Sequence, residues 1–319
     1  MRILFVTANR LGDAVLSTGV LGRLLDEHPT ARATVVCGPV AAPLFAALPN
    51  AERIIAWKKR PWSLHWFDLW RATVTHWWDT VVDLRASAFA YLVPARRRFV
   101  LRKVERGEHR LMMLAGTMGW REPAPPRLWL SAAHRTQAQA LIDDRQPTIA
   151  LGPTANWGGK QWPAERFATL VRALWAEPAF ATAKIAVLGG PDPRERSAAA
   201  PLLADLPPER TIDLIGRHDL LTLAACLERC ALYVGNDSGL MHLAAAAGTP
   251  TLGLFGPSNE VHYAPFGPHC AWVRTPESYE AIVRAPDYDY RSQRSLMTSL
   301  SVAAVRDAAL ALWQRRRGP

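Results

Sequence analysis

Val234-Gly235-Asn236-Asp237-Ser238-Gly239-Leu240-Met241-His242-Leu243-Ala244-Ala245-Ala246-Ala247-Gly248-Thr249-Pro250 reads as the end of a strand, a polar turn, a helix, a stop and the start of another strand. Leu232, Tyr233 and Val234 form a short apolar run suited to a buried strand. Residues 235–239 combine two glycines with Asp237 and Ser238, either of which can cap a helix. An Ala-rich helix follows and stops at Gly248, and a strand from Pro250 to Phe255 comes next. A helix N-terminus leaves backbone N–H groups unpaired and carries a partial positive charge. The turn therefore suits an anion, above all a phosphate. His242 lies one turn into the helix, within reach of the same spot. The plainer alternative is an ordinary βα turn in which Asp237 or Ser238 only caps.

The same alternation extends in both directions. Upstream, residues 2–7, 33–37, 53–57 and 80–84 read as strands. Residues 12–27 read as a helix with Leu16, Val20 and Leu24 on one face, and 43–48 as a short helix. A second series has strands at 148–151, 184–188, 211–214, 232–234 and 251–255. Polarity rises around Asp143-Asp144-Arg145-Gln146-Pro147, which places a domain boundary there. The expected architecture is α/β: two Rossmann-like parallel-sheet domains, 1–145 and 146–300, facing across a cleft. Ligands belong at the carboxyl ends of such strands. A closing helix at 301–315 shows Val302, Val305, Ala309 and Leu312 on one face.

Composition narrows the partners. The chain has 319 residues, a formal net charge of +10 and 49% hydrophobic residues, enough for two proper cores. The basic balance favours an anionic partner: nucleic acid, a phosphorylated substrate or an anionic membrane surface. Six of the 13 Trp fall between Trp57 and Trp78. The four Cys make no disulfide framework, and Cys226 and Cys230 read as buried thiols rather than metal ligands. The N-terminus lacks a signal peptide and no stretch is apolar enough to span a bilayer, so a cytoplasmic chain is expected.

Four constellations carry chemistry. Asn9-Arg10-Leu11-Gly12-Asp13 follows the first strand and sets Asp13 at a helix start, where a carboxylate can take a proton from a substrate hydroxyl or merely cap. The loop Gly152 to Pro163 places Asn156 and Lys160 at a strand's carboxyl end and suits a diphosphate, though it lacks P-loop spacing. Leu188-Gly189-Gly190-Pro191-Asp192 is a tight turn after which Asp192 or Glu195 can bind ribose hydroxyls. The fourth is basic and aromatic: Trp57-Lys58-Lys59-Arg60-Pro61-Trp62, then Arg96, Arg97 and Arg98 with Arg102, Lys103, Arg106 and Arg110. It fits single-stranded nucleic acid, an anionic lipid interface, or a solvated basic face over a Trp-rich core. A Rossmann dehydrogenase is disfavoured, because no G-x-G-x-x-G follows the first strand.

Four ordered blocks resemble the lipopolysaccharide heptosyltransferases, glycosyltransferase family 9, of the GT-B fold. They are MRILFVTANRLGDAVLSTGVLGRL, WDTVVDLRAS, GPTANWGGKQWPAERFATL and VGNDSGLMHLAAAAGTPTLGLFGPS. The resemblance implies an inverting transferase that moves a heptose from a nucleotide diphosphate, expected to be ADP-heptose, to the lipid A–core acceptor. By position, Asp13 looks like the general base and Lys160 like the cation on the donor phosphates. Asp237, Ser238, Gly239 and His242 match the donor-binding turn, with Asn156 beside them. Asp192 and Glu195 both qualify as the acidic donor contact after Gly190. Arg10, Lys58, Lys59, Arg60 and Arg97 are the basic candidates for the acidic acceptor. The family pattern implies no metal and no other cofactor, a closing helix that returns to the N-terminal domain, a monomer at the inner face of the inner membrane, and no nucleic-acid partner. The Ala8-Asn9-Arg10 turn and the Trp-rich segment depart from the family pattern. The alternatives are another nucleotide-sugar enzyme on the same fold, such as an epimerase or hydrolase, and a non-catalytic lipid or nucleic-acid binding module.

Overall fold

The computed structural model describes residues 1–58, 64–101 and 107–317. The chain divides into two compact units, Met1–Trp129 and Leu130–Pro319.

The first unit holds β1 (Arg2–Val6), β2 (Arg32–Cys37), β3 (Ala51–Ala56), β4 (Trp78–Asp83) and β5 (Ala95–Val100), with helices α1 (Leu11–Glu27), α2 (Leu64–Thr73) and α3 (Arg110–Met118). All neighbouring strands are parallel, in the order β3-β2-β1-β4-β5. The central strands are covered on both sides, so Ile3 to Val6 and Ala33 to Cys37 are buried without alternation. Helix α1 buries all residues from Ala14 to Gly22. A Cβ on Gly19 would fall 2.3 Å from the Ala124 carbonyl oxygen, so only glycine lets the helix lie against that segment. Trp57 and Trp78 are buried with Leu69 and Phe89, and Trp66 and Trp70 pack against them. Most of the described part of the Trp-rich segment is therefore core.

The second unit holds β6 (Thr148–Gly152), β7 (Lys184–Val187), β8 (Thr211–Asp213), β9 (Leu232–Asn236), β10 (Thr251–Phe255) and β11 (Cys270–Arg274). They form a parallel sheet in the order β11-β10-β9-β6-β7-β8. Its helices are α4 (Ala132–Leu141), α5 (Ala164–Trp175), α6 (Pro193–Asp205), α7 (Leu220–Glu228), α8 (Gly239–Ala246), α9 (Glu260–Tyr263), α10 (Tyr279–Val283) and α11 (Val302–Arg317). Trp162, Phe167, Phe180 and the apolar strand residues make one core. The two α/β parallel sheets agree with the expected fold class.

The place of the division differs from the expected one. The division falls between Trp129 and Leu130, not at 145, because α4 packs on α7. Gln137 accepts a 2.8 Å bond from the Thr222 hydroxyl, and Arg135 pairs with Glu228 at 3.1 Å. The polar run at 143–147 is a turn between α4 and β6 inside one domain, where Asp143 accepts from Arg145 and Lys184. Helix α11 buries Val305, Ala309 and Leu312 in the core of the second unit, beside α5. The cysteines are free, and burial pushes the thiols of Cys37 and Cys226 up to about 12.

Candidate functional site

In each sheet the strand order reverses once, between β1 and β4 in the first unit and between β6 and β9 in the second. Loops leave to opposite faces at such a point and open a crevice beyond the strand ends. The sequence motifs sit at both reversals.

In the second unit, Gly152 ends β6 beside Gly235 of β9. The buried Asn236 side chain spans the mouth between them. Its Nδ2 donates to the Pro153 carbonyl at 2.8 Å and its Oδ1 accepts from the Trp162 backbone N–H at 3.0 Å. One side chain thus pins both ends of the 153–162 loop. The far side of the loop is held by residues 292–296: Trp157 Nε1 donates to the Ser292 carbonyl at 2.7 Å, and Gln293 Oε1 accepts from Gly158 N–H at 3.0 Å. A Cβ on Gly158 would lie 2.3 Å from the Gln293 carbonyl oxygen, so a glycine is needed for that approach.

This frame delivers Lys160 to the start of α8. Its Nζ donates to Asp237 Oδ2 at 2.6 Å, and the Asp237 carboxylate is nearly buried while the ammonium keeps a quarter of its exposure. Ser238 precedes α8 in extended conformation and makes no capping bond, so the helix's first N–H groups stay available. His242 is buried in the same helix, edge-on to Tyr263 at 6.4 Å. Glu195 Oε2 accepts from Gly190 N–H at 2.8 Å and from the Thr154 hydroxyl at 2.7 Å. Asp192 instead caps α6 by accepting from Arg194 N–H, on the exposed side. Of the two acidic candidates, Glu195 is thus the one turned into the site. Asn156 is exposed on the loop.

Tyr233 lies under this arrangement, fully buried over Gly152 and Gly235. A Cβ on Gly152 would fall 1.9 Å from its hydroxyl. Burial pushes its phenol well above the usual range, with Ser238 pulling the other way and the Asp237 and Glu195 charges adding to the rise.

At the reversal in the first unit, Asp13 is in the first turn of α1, with the exposed Arg10 as N-cap residue. Its Oδ1 is 3.7 Å from Arg110 Nε, an ion pair rather than a hydrogen bond. Burial lowers the pKa of the Arg85 guanidinium, with the Asp83 and Asp13 charges pulling the other way. Asp83 ends β4, fully buried, and accepts from the Arg85 and Ser87 N–H groups at 2.8 and 3.0 Å and from the Ser87 hydroxyl. Burial pushes its carboxyl up despite those bonds. Lys58 is exposed after β3. Arg97 pairs with Thr80 low on β5, three positions before the Val100 end of the strand, so it is not brought to Asp13. Lys59 and Arg60, like Arg102, Lys103 and Arg106, lie outside the described residues. Asp83, Arg85, Asn236 and Tyr233 were not singled out as site residues from the sequence. The available signal was a polar residue ending an otherwise apolar strand, as Asp83 and Asn236 do.

The sequence pattern of "Glycosyltransferase family 9 (heptosyltransferase)" matches residues 83–287. Lipooligosaccharide heptosyltransferase 2 of Haemophilus influenzae is 24% identical, covering 93% of this chain and 95% of its own length. The crystal structure of a family 9 glycosyl transferase from Veillonella parvula superposes with a TM-score of 0.81 at 23% identity, covering 98% of this chain and 97% of that one. The structure of the Escherichia coli ADP-heptose lps heptosyltransferase II gives 0.75 at 19% identity, with both chains covered in full.

Proposed function

Since the chain belongs to glycosyltransferase family 9, we propose that it transfers a heptose from ADP-heptose to a lipopolysaccharide core acceptor, with inversion at the anomeric carbon. The observation that carries this reading is the Lys160–Asp237 pair at the uncapped start of α8, framed by Glu195 and pinned by Asn236. In this reading the donor diphosphate lies against the α8 N–H groups, with the Lys160 ammonium on its oxygens and Glu195 on the ribose side.

The reaction is a single displacement. The acceptor hydroxyl oxygen bonds to the anomeric carbon as the bond to the diphosphate oxygen breaks. Asp13 takes the hydroxyl proton. The charge that builds on the departing ADP falls on Lys160 and on the helix N-terminus, which stand ready before the reaction starts. No metal is required in this scheme. Arg10 and Lys58 are the exposed cations of the first unit proposed for the acidic acceptor. The chain is proposed to work as a monomer on the cytoplasmic side, attached peripherally to the inner membrane. No helix among the described residues is long and apolar enough to cross a membrane.

Calorimetric titration with ADP, UDP, GDP and CDP, in the presence of a chelator, tests the reading. Selective metal-free binding of ADP is expected. Binding of none of the four overturns the donor-site assignment.

A further inference from the structure

The proposed function uses Lys58 but leaves the rest of one sequence motif without a role: the aromatic and basic stretch of the first unit. Its tryptophans are largely core, but the surface around them is not ordinary. Phe67 on α2 is 54% exposed, Tyr91 66% and Leu92 61%, with Leu64 and Trp77 also open to solvent. These side chains belong to one surface. The Phe67 ring stacks with Trp70 at 5.9 Å, and Trp70 Nε1 donates to the Leu92 carbonyl at 3.0 Å. Trp78, the residue after Trp77, donates its N–H to the Pro94 carbonyl at 3.0 Å.

The loop that displays Tyr91 and Leu92 is held from inside. The Arg98 guanidinium donates to the carbonyls of Ala90, Val93 and Ala95 at 2.9, 2.8 and 3.0 Å. Those bonds fix the loop with its two large apolar side chains turned outward. Residues held rigidly in water at that exposure are not there for the core. Arg71 on α2 and Arg96 and Arg97 on β5 are exposed around them. Asp68, the acidic residue of α2, lines a separate pocket with Arg53 and Lys58.

We propose that this surface, Leu64, Phe67, Tyr91 and Leu92 with the arginines Arg71 and Arg96 at its rim, docks on an anionic phospholipid bilayer. The charge pattern selects that occupant. Apolar and aromatic side chains enter the headgroup level while flanking cations meet the phosphates. The net charge of +10 draws the whole chain the same way. A second copy of the chain would bring the same arginines against each other, and the β5 edge carries Arg96 to Arg98 where strand pairing would need neutral residues. The inference rests on the membrane association proposed above and names the surface that makes it.

The test is co-sedimentation with vesicles of phosphatidylcholine alone or with phosphatidylglycerol added. The parent is compared with a Phe67→Ser, Tyr91→Ser, Leu92→Ser triple variant and with Arg71→Gln, Arg96→Gln. ADP affinity and melting temperature are read on each. The parent should bind the anionic vesicles, and the triple variant should bind at least about tenfold more weakly. The arginine pair should weaken binding mainly at low salt. Both variants should keep the parent's ADP affinity and fold. A parent that binds ADP but ignores anionic vesicles overturns this surface and leaves the donor site standing. So does a triple variant that sediments like the parent. Loss of a parent dimer, or of single-stranded oligonucleotide binding, in the triple variant with vesicle binding intact would reassign the surface.

Discussion

The turn after β1 and the turn after β9 each border the reversal of strand order in their own sheet, yet they are built in opposite ways. After β9 the side chains that frame the turn are engaged, while the start of α8 stays uncapped. Asn236 makes two bonds, Lys160 and Asp237 meet at 2.6 Å, and Glu195 accepts twice. After β1, Asp13 makes a 3.7 Å ion pair with Arg110 and no hydrogen bond among the described residues, and the Arg10 N-cap residue contributes no side-chain capping bond. A group that must receive a proton from a substrate is best left with a spare lone pair. Groups that must hold a charged phosphate are best fixed beforehand, so that binding does not have to order them. The contrast suits a mobile proton step in one domain and a rigid anion site in the other.

The sharpest way to break this division is Asp13→Asn. Turnover should fall by roughly 10²–10⁴-fold with ADP affinity unchanged. A steady-state assay beside a calorimetric titration checks both halves, and a parallel loss of ADP binding would erase the division of labour. Next comes Lys160→Ala, which removes a charged contact of about 1.5–3 kcal/mol from the phosphates. It also strands Asp237, nearly buried, without its partner. Both ADP affinity and the melting temperature should drop, and an unchanged affinity would deny Lys160 its phosphate role. Asn236→Ala tests the pin. Two lost hydrogen bonds cost about 2 kcal/mol of stability, read by urea unfolding, and the freed loop should weaken ADP binding several-fold without touching Asp13. An equally stable variant would mean the loop holds itself.

The smallest effect concerns acid. In the second domain, burial raises the Asp213 carboxyl, but the Arg196 bond, the Ile215 N–H and the Arg217 charge outweigh it and hold the pKa low. Its stabilisation is present above the ordinary carboxylate pKa of about 3.9 and is lost as pH falls through its lower folded value. In the first domain burial holds Asp83 high. Its contribution is full below the ordinary value and fades as pH rises through the folded one. Asp213→Asn should therefore flatten the acid loss of melting temperature, and Asp83→Asn should steepen it. Melting curves between pH 6 and 3 decide the signs.

The strands legible in the sequence were mostly those with neighbours on both sides. Ile3 to Val6, Ile149 to Leu151 and Leu252 to Phe255 are continuous apolar runs, because both faces are covered. The two strands left unread, β5 and β11, are sheet edges. Edge strands carry charge to discourage pairing with other chains, and Arg96 to Arg98 hid one behind a basic patch. The domain boundary misled for a related reason, since a tight turn rich in Asp and Arg has the composition of a linker. In the site, Lys160 and Asp237 each belong to a polar block that the sequence places at the end of a strand. Their bond to each other spans 77 positions and has no signature in local spacing.

That bond has a consequence for how the second domain handles charge. The Lys160 ammonium has a carboxylate to return to whenever the site is vacated, so the domain carries its own counter-ion. In the proposed cycle, nucleotide arrival is an exchange of anions at one cation rather than capture by a bare one, and departure leaves no unbalanced charge behind. Salt in the surroundings then has less to compete for than the charge on the diphosphate alone would suggest. In that proposed cycle the ammonium is a hand-over point, held by Asp237 between substrates and lent to each nucleotide in turn.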